Sequence, residues 1–406
     1  MQNKIVCVIG LGYIGLPTAA LLAGKGYQVI GVDVNPKTVE IINRGQIHIV
    51  EPDLDAFVRS AVSSGKLRAQ TEPENADIFM VCVPTPLLEK RDGVPQPDIS
   101  YVESAIKSIA PFLKSGNSVV LESTSPVGTT AAMTKVLSGM GVDVSKIHIA
   151  YCPERVLPGK IMTELVGNDR VVGGMTNSAS EVISEFYKSF VRGEVIQTNA
   201  LTAEMCKLAE NSYRDVNIAY ANELSLICAN AGINVTKLIE LANRHPRVNI
   251  LTPGVGVGGH CIAVDPWFVV AKDPKHARLI QTARNVNDYK TQWVITKIAE
   301  QIEVLRIALK RKPIVACYGL AFKPDIDDLR ESPALLVAEK VLEMNCDLIV
   351  IEPNIDNHNS FSLSTPLEGY DSADLLVFLV KHRQFVDLVK RTSLNNKLVL
   401  DYCGIL

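Results

Sequence analysis

KIVCVIGLGYIGLPTAALLAGKGYQVIGVD, residues 4–33, is the stretch that decides the fold. KIVCVIG is an apolar run of strand character, TAALLAGKG a helical run, and YQVIGVD a second strand. GLGYIG, residues 10–15, links the first strand to the helix. Gly10 permits the tight turn, Gly12 lets backbone approach a pyrophosphate, and Gly15 allows close packing of helix on strand. A diphosphate then sits on the helix N-terminus. Asp33 ends the second strand about twenty residues further on, where ribose hydroxyls are read. An acid there accepts hydrogen bonds from a free 2′-OH and repels a 2′-phosphate, so the unit reads as a site for NAD rather than NADP.

Part of the same stretch, residues 5–23, is apolar enough to pass for a signal peptide or a membrane span. Gly10, Gly12, Gly15 and Pro17 interrupt it, and Lys4 is the only charged side chain ahead of it. A buried strand and helix account for the same residues, so no membrane insertion is expected. The chain has 406 residues, 47% hydrophobic and 21% charged, which suits two or three folded domains. A net charge of −3 gives no general attraction for nucleic acid or an anionic membrane. Any anionic ligand must therefore be held by locally placed Arg and Lys. Nine cysteines without paired spacing argue against a disulfide framework or a metal site and fit a reducing, cytoplasmic compartment. Cys7, Cys82 and Cys317 stand in apolar runs and read as small buried hydrophobes.

Along the first half, strand-like runs alternate with helical ones: PKTVEIINRG follows the opening unit, then ADIFMVCVP, SVVLES and KIHIAYCP. Such alternation predicts right-handed βαβ crossovers and a parallel sheet covered on both faces. From Thr202 to Ala231 there is neither proline nor glycine, which predicts one long helix ending at Gly232. VTKLIELANR is a second helix that stops before His245-Pro246, and residues 275–309 read as further helix. Near residue 312 strand character returns with PIVACYG. Ser332 and Pro333 then open a helix as N-cap and first-turn proline, and CDLIVIEP, ADLLVFLV and KLVLDYC add strands. The fold class is α/β: two Rossmann-like parallel-sheet domains joined by a central helical region. The expected boundaries are 1–198 for an NAD-binding domain, 199–308 for the helical domain and 309–406 for the C-terminal domain.

Ligands of such sheets lie beyond the carboxyl ends of the strands, which places Thr85 of VPTP and Thr124 of ESTSPVG against cofactor or substrate. On the long helix, Lys207, Asn211 and Arg214 recur at i, i+4 and i+7 and share one face. Their neighbours Met205, Cys206, Leu208, Ala209, Val216, Ile218 and Ala219 predict a helix buried nearly all round, with this stripe lining a cavity. In PGVGVGGHCIAVDP, residues 253–266, Gly254, Gly256, Gly258 and Gly259 precede Cys261. Their expected role is to let the loop fold back and approach a ligand without Cβ clashes. A nucleophilic thiol needs such access and help in losing its proton. Lys207 supplies that help if the fold brings the two together, and Asp265 holds or deprotonates a water. A nicotinamide cofactor with a thiol points to a four-electron oxidation, from alcohol through aldehyde and thiohemiacetal to thioester and acid. Negative charge develops on oxygen at each tetrahedral stage.

GLGYIGLP, VPTP, STSPVG, CPER, K-x3-N, GG-x-C-x3-D and GLAFKP occur here in the order found in the nucleotide-sugar 6-dehydrogenases, the group that contains UDP-glucose dehydrogenase. The chain resembles that family over essentially its whole length. The resemblance implies Cys261 as the thioester nucleophile, Lys207 as acid/base and Asn211 beside it on the oxyanion. It implies Glu154 and Asp265 as assistants to water or proton transfer. It gives the UDP-sugar to Arg155, Val156, Arg214, His245, Arg247, Gly258, Phe322 and Lys323, in addition to Lys207 and Asn211. Arg330 and the backbone of Tyr13 and Ile14 reach the NAD, and the family implies a homodimer or higher homo-oligomer. Through IHIVEPDL, IAYCPERVLPG, AEMCKLAENSYRDVNIA, NRHPRVNILTPG and GVGGHCIAVDPWF the chain most resembles the family members that act on a UDP-N-acetylhexosamine, and the resemblance implies UDP-N-acetyl-D-mannosamine before the gluco and galacto epimers. Val264 stands where the glucose branch carries lysine, and Ala263 where N-acetylhexosamine relatives often carry proline. Two other readings are a two-electron hydroxyacid dehydrogenase with a structural Cys261, and a non-catalytic NAD sensor.

Overall fold

The computed structural model of the chain describes residues 4–91, 93–394 and 397–406. It divides into two compact units, Met1–Glu210 with Trp267–Lys272, and Asn211–Pro266 with Asp273–Leu406.

The first unit is built on an eight-stranded sheet. In chain order its strands are β1 (Ile5–Ile9), β2 (Gln28–Val32), β3 (Leu67–Gln70) and β4 (Ile78–Val81). A separate antiparallel hairpin follows, β5 (Leu87–Arg91) with β6 (Val94–Pro97). The sheet then continues with β7 (Ser118–Leu121), β8 (His148–Tyr151), β9 (Arg170–Gly174) and β10 (Val195–Asn199). Their order across the sheet is β10-β9-β8-β7-β4-β1-β2-β3. Side chains alternate between two cores: Val6 and Val8 pack on one face, Cys7 and Ile9 on the other. Both faces are buried, which explains why the strands read as unbroken apolar runs rather than as alternating ones.

The expected parallel sheet is broken at one seam. β8 and β9 pair antiparallel, Tyr151 opposite Gly173, while β10 runs parallel to β9. The link from β8 to β9 holds only the helix Ile161–Gly167. That helix spans about 10 Å at 1.5 Å per residue. It does not carry the chain back to the start of a parallel strand. The chain enters β9 from the carboxyl end of β8, and Arg170 thus lies beside the residues that follow β8.

The helix Ala200–Ala231 ends where expected. Gly232 takes φ +70°, and the amide of Ile233 donates to the Cys228 carbonyl at 2.9 Å, a Schellman cap. Its surroundings correct the sequence reading. It is not buried all round. The buried face carries Glu204, Asn211, Ser212, Asp215, Asn222 and Ser225, while Met205, Tyr213, Tyr220 and Ile227 are exposed. Glu204, Asn211, Asp215, Asn222 and Ser225 have hydrogen-bond partners inside, which removes much of the cost of burial, whereas the buried Ser212 hydroxyl finds none among the described residues.

In the second unit, Asn234 caps the helix Val235–Ala242, and the helix Arg278–Leu309 ends at Lys310, φ +55°. A four-stranded sheet follows: β11 (Ile314–Tyr318), β12 (Asp347–Ile351), β13 (Leu375–Phe378) and β14 (Leu398–Asp401). It is parallel, in the order β12-β11-β13-β14. Val315 and Cys317 face one core, Ala316 and Tyr318 the other. Ser332 caps the helix Pro333–Leu342, accepting from the Leu335 amide. Among the described residues no helix is long and apolar enough to cross a membrane. Among the described residues no group of three or more His, Cys, Asp or Glu is placed to hold a metal ion.

Candidate active site

The turn after β1 has the form its glycines demand. Gly10 has φ +89°, and a Cβ there would lie 2.6 Å from the Cys82 carbonyl oxygen. A Cβ on Gly15 would collide with the Gly10 carbonyl, which allows the helix Gly15–Gly24 to press onto the strand. A Cβ on Gly12 would meet nothing within 4 Å. This is the open glycine, where a pyrophosphate can approach backbone. No side chain caps the helix and no acid stands in its first turn, so the positive end of its dipole faces that space. Asp33 accepts from the Leu11 amide through Oδ2 at 3.1 Å and from Asn35 through Oδ1 at 2.9 Å, which fixes its carboxylate at the end of β2. Thr85 donates its hydroxyl to the Thr124 carbonyl at 2.7 Å, joining the two strand-end threonines. These residues fit a dinucleotide.

The segment after β8 carries the second group. Lys207 Nζ donates to the Glu154 carbonyl at 2.7 Å. The Glu154 carboxylate accepts from the Arg155 amide at 2.6 Å and pairs with the buried Arg170 guanidinium. Arg170 also donates to the Leu165 carbonyl. The antiparallel seam puts Arg170 in that place, a residue sequence reasoning missed. Nearby, Glu122 Oε1 accepts from the Tyr187 hydroxyl at 2.6 Å, and its Oε2 from the Cys82 thiol at 3.3 Å. Burial pushes the Glu122 carboxyl above its ordinary value, against the pull of Arg170. Burial works against charge on Arg170, but Glu154 and its other acidic neighbours together outweigh it and hold the guanidinium protonated. Cys82 packs against the core as its sequence setting suggests, and its thiol in addition donates to the Glu122 carboxyl. Glu51, within IHIVEPDL, accepts from the Gly159 and Ile161 amides at 2.8 and 2.7 Å and staples down the loop that carries Arg155. Arg155 itself bonds Glu210 at 2.7 Å. Glu204, fully buried, accepts from the amides of Gly128 and Thr130 and from the Thr130 hydroxyl, tying the long helix to STSPVG.

The thiol loop belongs to the second unit. Asn211 Nδ2 donates to Asp265 Oδ2 at 2.6 Å, and the amides of Val264 and Asp265 donate to the Cys261 carbonyl at 3.0 and 2.8 Å. Cys261 is half-buried. The glycines ahead of it correct the reading of the loop. Cβ atoms on Gly256, Gly258 and Gly259 would strike protein rather than a ligand: Thr291 and Pro333, then the Glu331 carbonyl and Phe322, then the Phe322 ring. Of the four, only Gly254 escapes such a clash, its Cβ coming no nearer than 3.9 Å to the Gly256 carbonyl oxygen. The glycines are there so that the loop can lie against Phe322 and Pro333, which brings Phe322 of GLAFKP within two residues of Cys261. The Gly259 amide donates to the Arg330 carbonyl at 3.1 Å, and the Arg330 guanidinium pairs with Asp328. Arg214, His245 and Arg247 are exposed, and His245 Nδ1 accepts from the Arg247 amide. Val156 packs on the core of the first unit, and Lys323 is half-buried.

A glycine-turn dinucleotide cradle, a lysine fixed on a backbone carbonyl and a thiol loop seated on a second nucleotide-type sheet define a dinucleotide-dependent oxidoreductase. The models of the UDP-glucose/GDP-mannose dehydrogenase family match the chain in three parts: its NAD binding domain over residues 4–191, central domain over 201–289 and UDP binding domain over 316–406. The chain is 53% identical over the full length of both proteins to the UDP-N-acetyl-D-mannosamine dehydrogenase of Escherichia coli (strain K12). It is 51% identical to an NDP-N-acetyl-D-galactosaminuronic acid dehydrogenase of Ralstonia nicotianae, covering 99% of this chain and 96% of that one. A solved UDP-N-acetyl-mannosamine dehydrogenase from S. aureus superposes with a TM-score of 0.89 at 41% identity, covering 99% of each chain. The chain belongs to the UDP-glucose/GDP-mannose dehydrogenase family and is an NAD-dependent oxidoreductase.

Proposed function

We propose that the protein oxidises the C6 hydroxyl of UDP-N-acetyl-D-mannosamine to the carboxylate of UDP-N-acetyl-D-mannosaminuronate, a precursor for surface polysaccharide. The observation that carries this reading is the Asn211–Asp265 pair, one residue of which also donates its amide to the Cys261 carbonyl. An alcohol dehydrogenase of two electrons has no need of a thiol built into such a frame. The three-part division proposed is residues 1–198 for NAD, 199–308 for the helical domain and 309–406 for UDP.

NAD, held by Gly10, Gly12, Gly15, the backbone of Tyr13 and Ile14, Asp33, Thr85, Thr124 and Arg330, supplies the hydride acceptor for both oxidations. Lys207 takes the proton of the C6 hydroxyl as the first hydride leaves. The Cys261 thiolate then adds to the aldehyde carbon, and its C–S bond survives loss of the second hydride as a thioester. Water, positioned by Asp265 or Glu154, adds to that carbonyl and expels the thiolate with a new carboxylate. Asn211 and Lys207 stabilise the oxyanion of each tetrahedral stage. Arg155, Val156, Arg214, His245, Arg247, Gly258, Phe322 and Lys323 hold the UDP-sugar. The exposed stripe of Tyr213, Tyr220 and Ile227, spaced seven residues apart, supports a homodimer through the long helix. The composition supports a cytoplasmic enzyme.

Each acid formed releases two NADH, and Cys261→Ser abolishes acid formation while NAD affinity is kept. One NADH per product, or unchanged turnover of C261S, overturns the thioester route. The relative from Ralstonia nicotianae favours a second reading, the same chemistry on the N-acetylgalactosamine sugar. Assay of the manno, gluco and galacto substrates side by side decides between them.

A further inference from the structure

Within the second unit, four buried polar side chains join the later part of the helix Ala200–Ala231 to the helix Arg278–Leu309 and end on the thiol loop. Asp215, Asn222 and Asn287 are fully buried and Arg284 is 3% exposed. Arg284 donates to Asp215 Oδ1 at 2.8 Å and to Asp288 at 2.7 Å. Asn287 Nδ2 donates to Asp215 Oδ1 at 2.8 Å, and Asn222 Nδ2 to Asn287 Oδ1 at 2.9 Å. Finally, the Gly254 amide donates to Asn222 Oδ1 at 2.9 Å.

The direction of every bond in this chain is forced. A carboxylate only accepts, so Asn287 must turn its NH₂ to Asp215 and its carbonyl to Asn222. Asn222 then has only its NH₂ to offer Asn287, and its carbonyl is left facing the loop. The loop end is a backbone N–H, which only donates. Neither carboxamide can flip without setting two acceptors or two donors face to face. One residue further along, Thr291 donates to the Val255 carbonyl at 2.9 Å, a second anchor from the same helix. A seam of Leu and Ala would join two helices with less desolvation, so this polar chain buys orientation rather than stability.

We propose that Asn222 is a positioning residue for Cys261. Asn287 sets its orientation from the Asp215–Arg284 pair, and Thr291 holds the next loop residue. The proposal rests on Cys261 as nucleophile for its effect on turnover, but not for its effect on the loop. Two variants of the full-length enzyme test it: Asn222→Leu, which removes both bonds of that link, and Thr291→Val, which keeps volume and shape and leaves the Asn222 chain intact. The first readout is the rate of iodoacetamide alkylation at Cys261, followed on its own peptide by mass spectrometry. The second is kcat against KM for acid formation.

Both variants are expected to change the alkylation rate, and kcat is expected to fall ~10–100-fold, the loss an ångström-scale misplacement brings. KM for the UDP-sugar is expected to change less than kcat, because all the proposed binding groups but Gly258 lie outside this loop. An alkylation rate equal to that of the parent in a folded variant overturns the proposal. If Asn222→Leu does not fold, Asn222→Ala, which removes the same two bonds with a smaller side chain, takes its place. Altered alkylation with unchanged acid formation upholds the anchor and instead removes Cys261 from the chemistry, so the two readings fail separately.

Discussion

Gly258→Ala is the sharpest steric test of the thiol loop. Neither Gly258 nor Gly254 has a positive φ, so alanine brings no backbone strain at either position. The difference between them is what the new methyl meets. At Gly258 it would lie 2.5 Å from the Glu331 carbonyl oxygen and 2.8 Å from both Phe322 Cβ and Pro333 Cδ. None of these is the loose end of a flexible side chain. Relief requires a displacement of roughly 0.5–1 Å, and such overpacking costs about 1–3 kcal/mol. Cys261 is three residues away on the same loop. Displacement of its sulfur by that amount lowers acid formation ~100-fold. At Gly254 the methyl meets only the Gly256 carbonyl oxygen, at 3.9 Å, and the rate should stay near the parent's. Steady-state NADH formation with UDP-N-acetyl-D-mannosamine, run beside thermal unfolding of both variants, makes the comparison. Equal behaviour of the two alanines, in rate and in Tm, refutes the packing argument.

Two further predictions concern burial and the cofactor turn. Lys290 is 3% exposed, bonded to Ser225 Oγ at 2.8 Å, and burial lowers it to about 8. A lysine lowered in the folded state binds fewer protons than in the unfolded chain, so stability rises with pH between about 8 and 10.5. The shift from 10.5 to about 8 is worth about 3 kcal/mol. The Trp293 ring, 4.4 Å from Nζ, returns ~1–2 kcal/mol of it to the charged form. Lys290→Met should lack the remaining rise of ~1–2 kcal/mol, and unfolding of both proteins at pH 7 and pH 10 measures the difference; parallel pH profiles count against it. In the cofactor turn, Gly15→Ala should lower Tm because its methyl meets the Gly10 carbonyl. Gly12→Ala should keep its Tm and lose NAD affinity by ~10-fold or more, read by calorimetry; a Gly12→Ala protein with full affinity would place the diphosphate elsewhere.

What the sequence discloses is whatever local chemistry encodes. The opening βαβ unit, the stop at Gly232 and the Ser332 cap follow from backbone rules acting over a few residues, and each stands where the residues predict. The pairings of distant residues were not legible. Arg170 looks like any strand residue until the β8–β9 seam reverses, and nothing near Asn222 or Asn287 announces that two helices will bury them together. Glu122 stood inside a quoted motif, but its meeting with Tyr187 depends on packing across 65 residues. The long helix misled because composition reports how much is apolar, not which face meets protein. Its apolar residues lie partly outside and its amides and acids within.

The reversed strands also set where the long helix departs. Arg170 overhangs the end of β8 to the level of Glu154, and β10 descends beside β9 until Asn199 stands opposite Gly174. That is a drop of four strand residues, about 13 Å. Gly173 has no side chain, and Ala203 closes over it as the chain turns upward. Seven helical residues recover about 10 Å of the height by Lys207, and the lysine stem spans the remainder to the Glu154 oxygen. Had the last two strands kept the direction of the others, the helix would have set out from the top edge already level with its target, and its ammonium would have been carried past it.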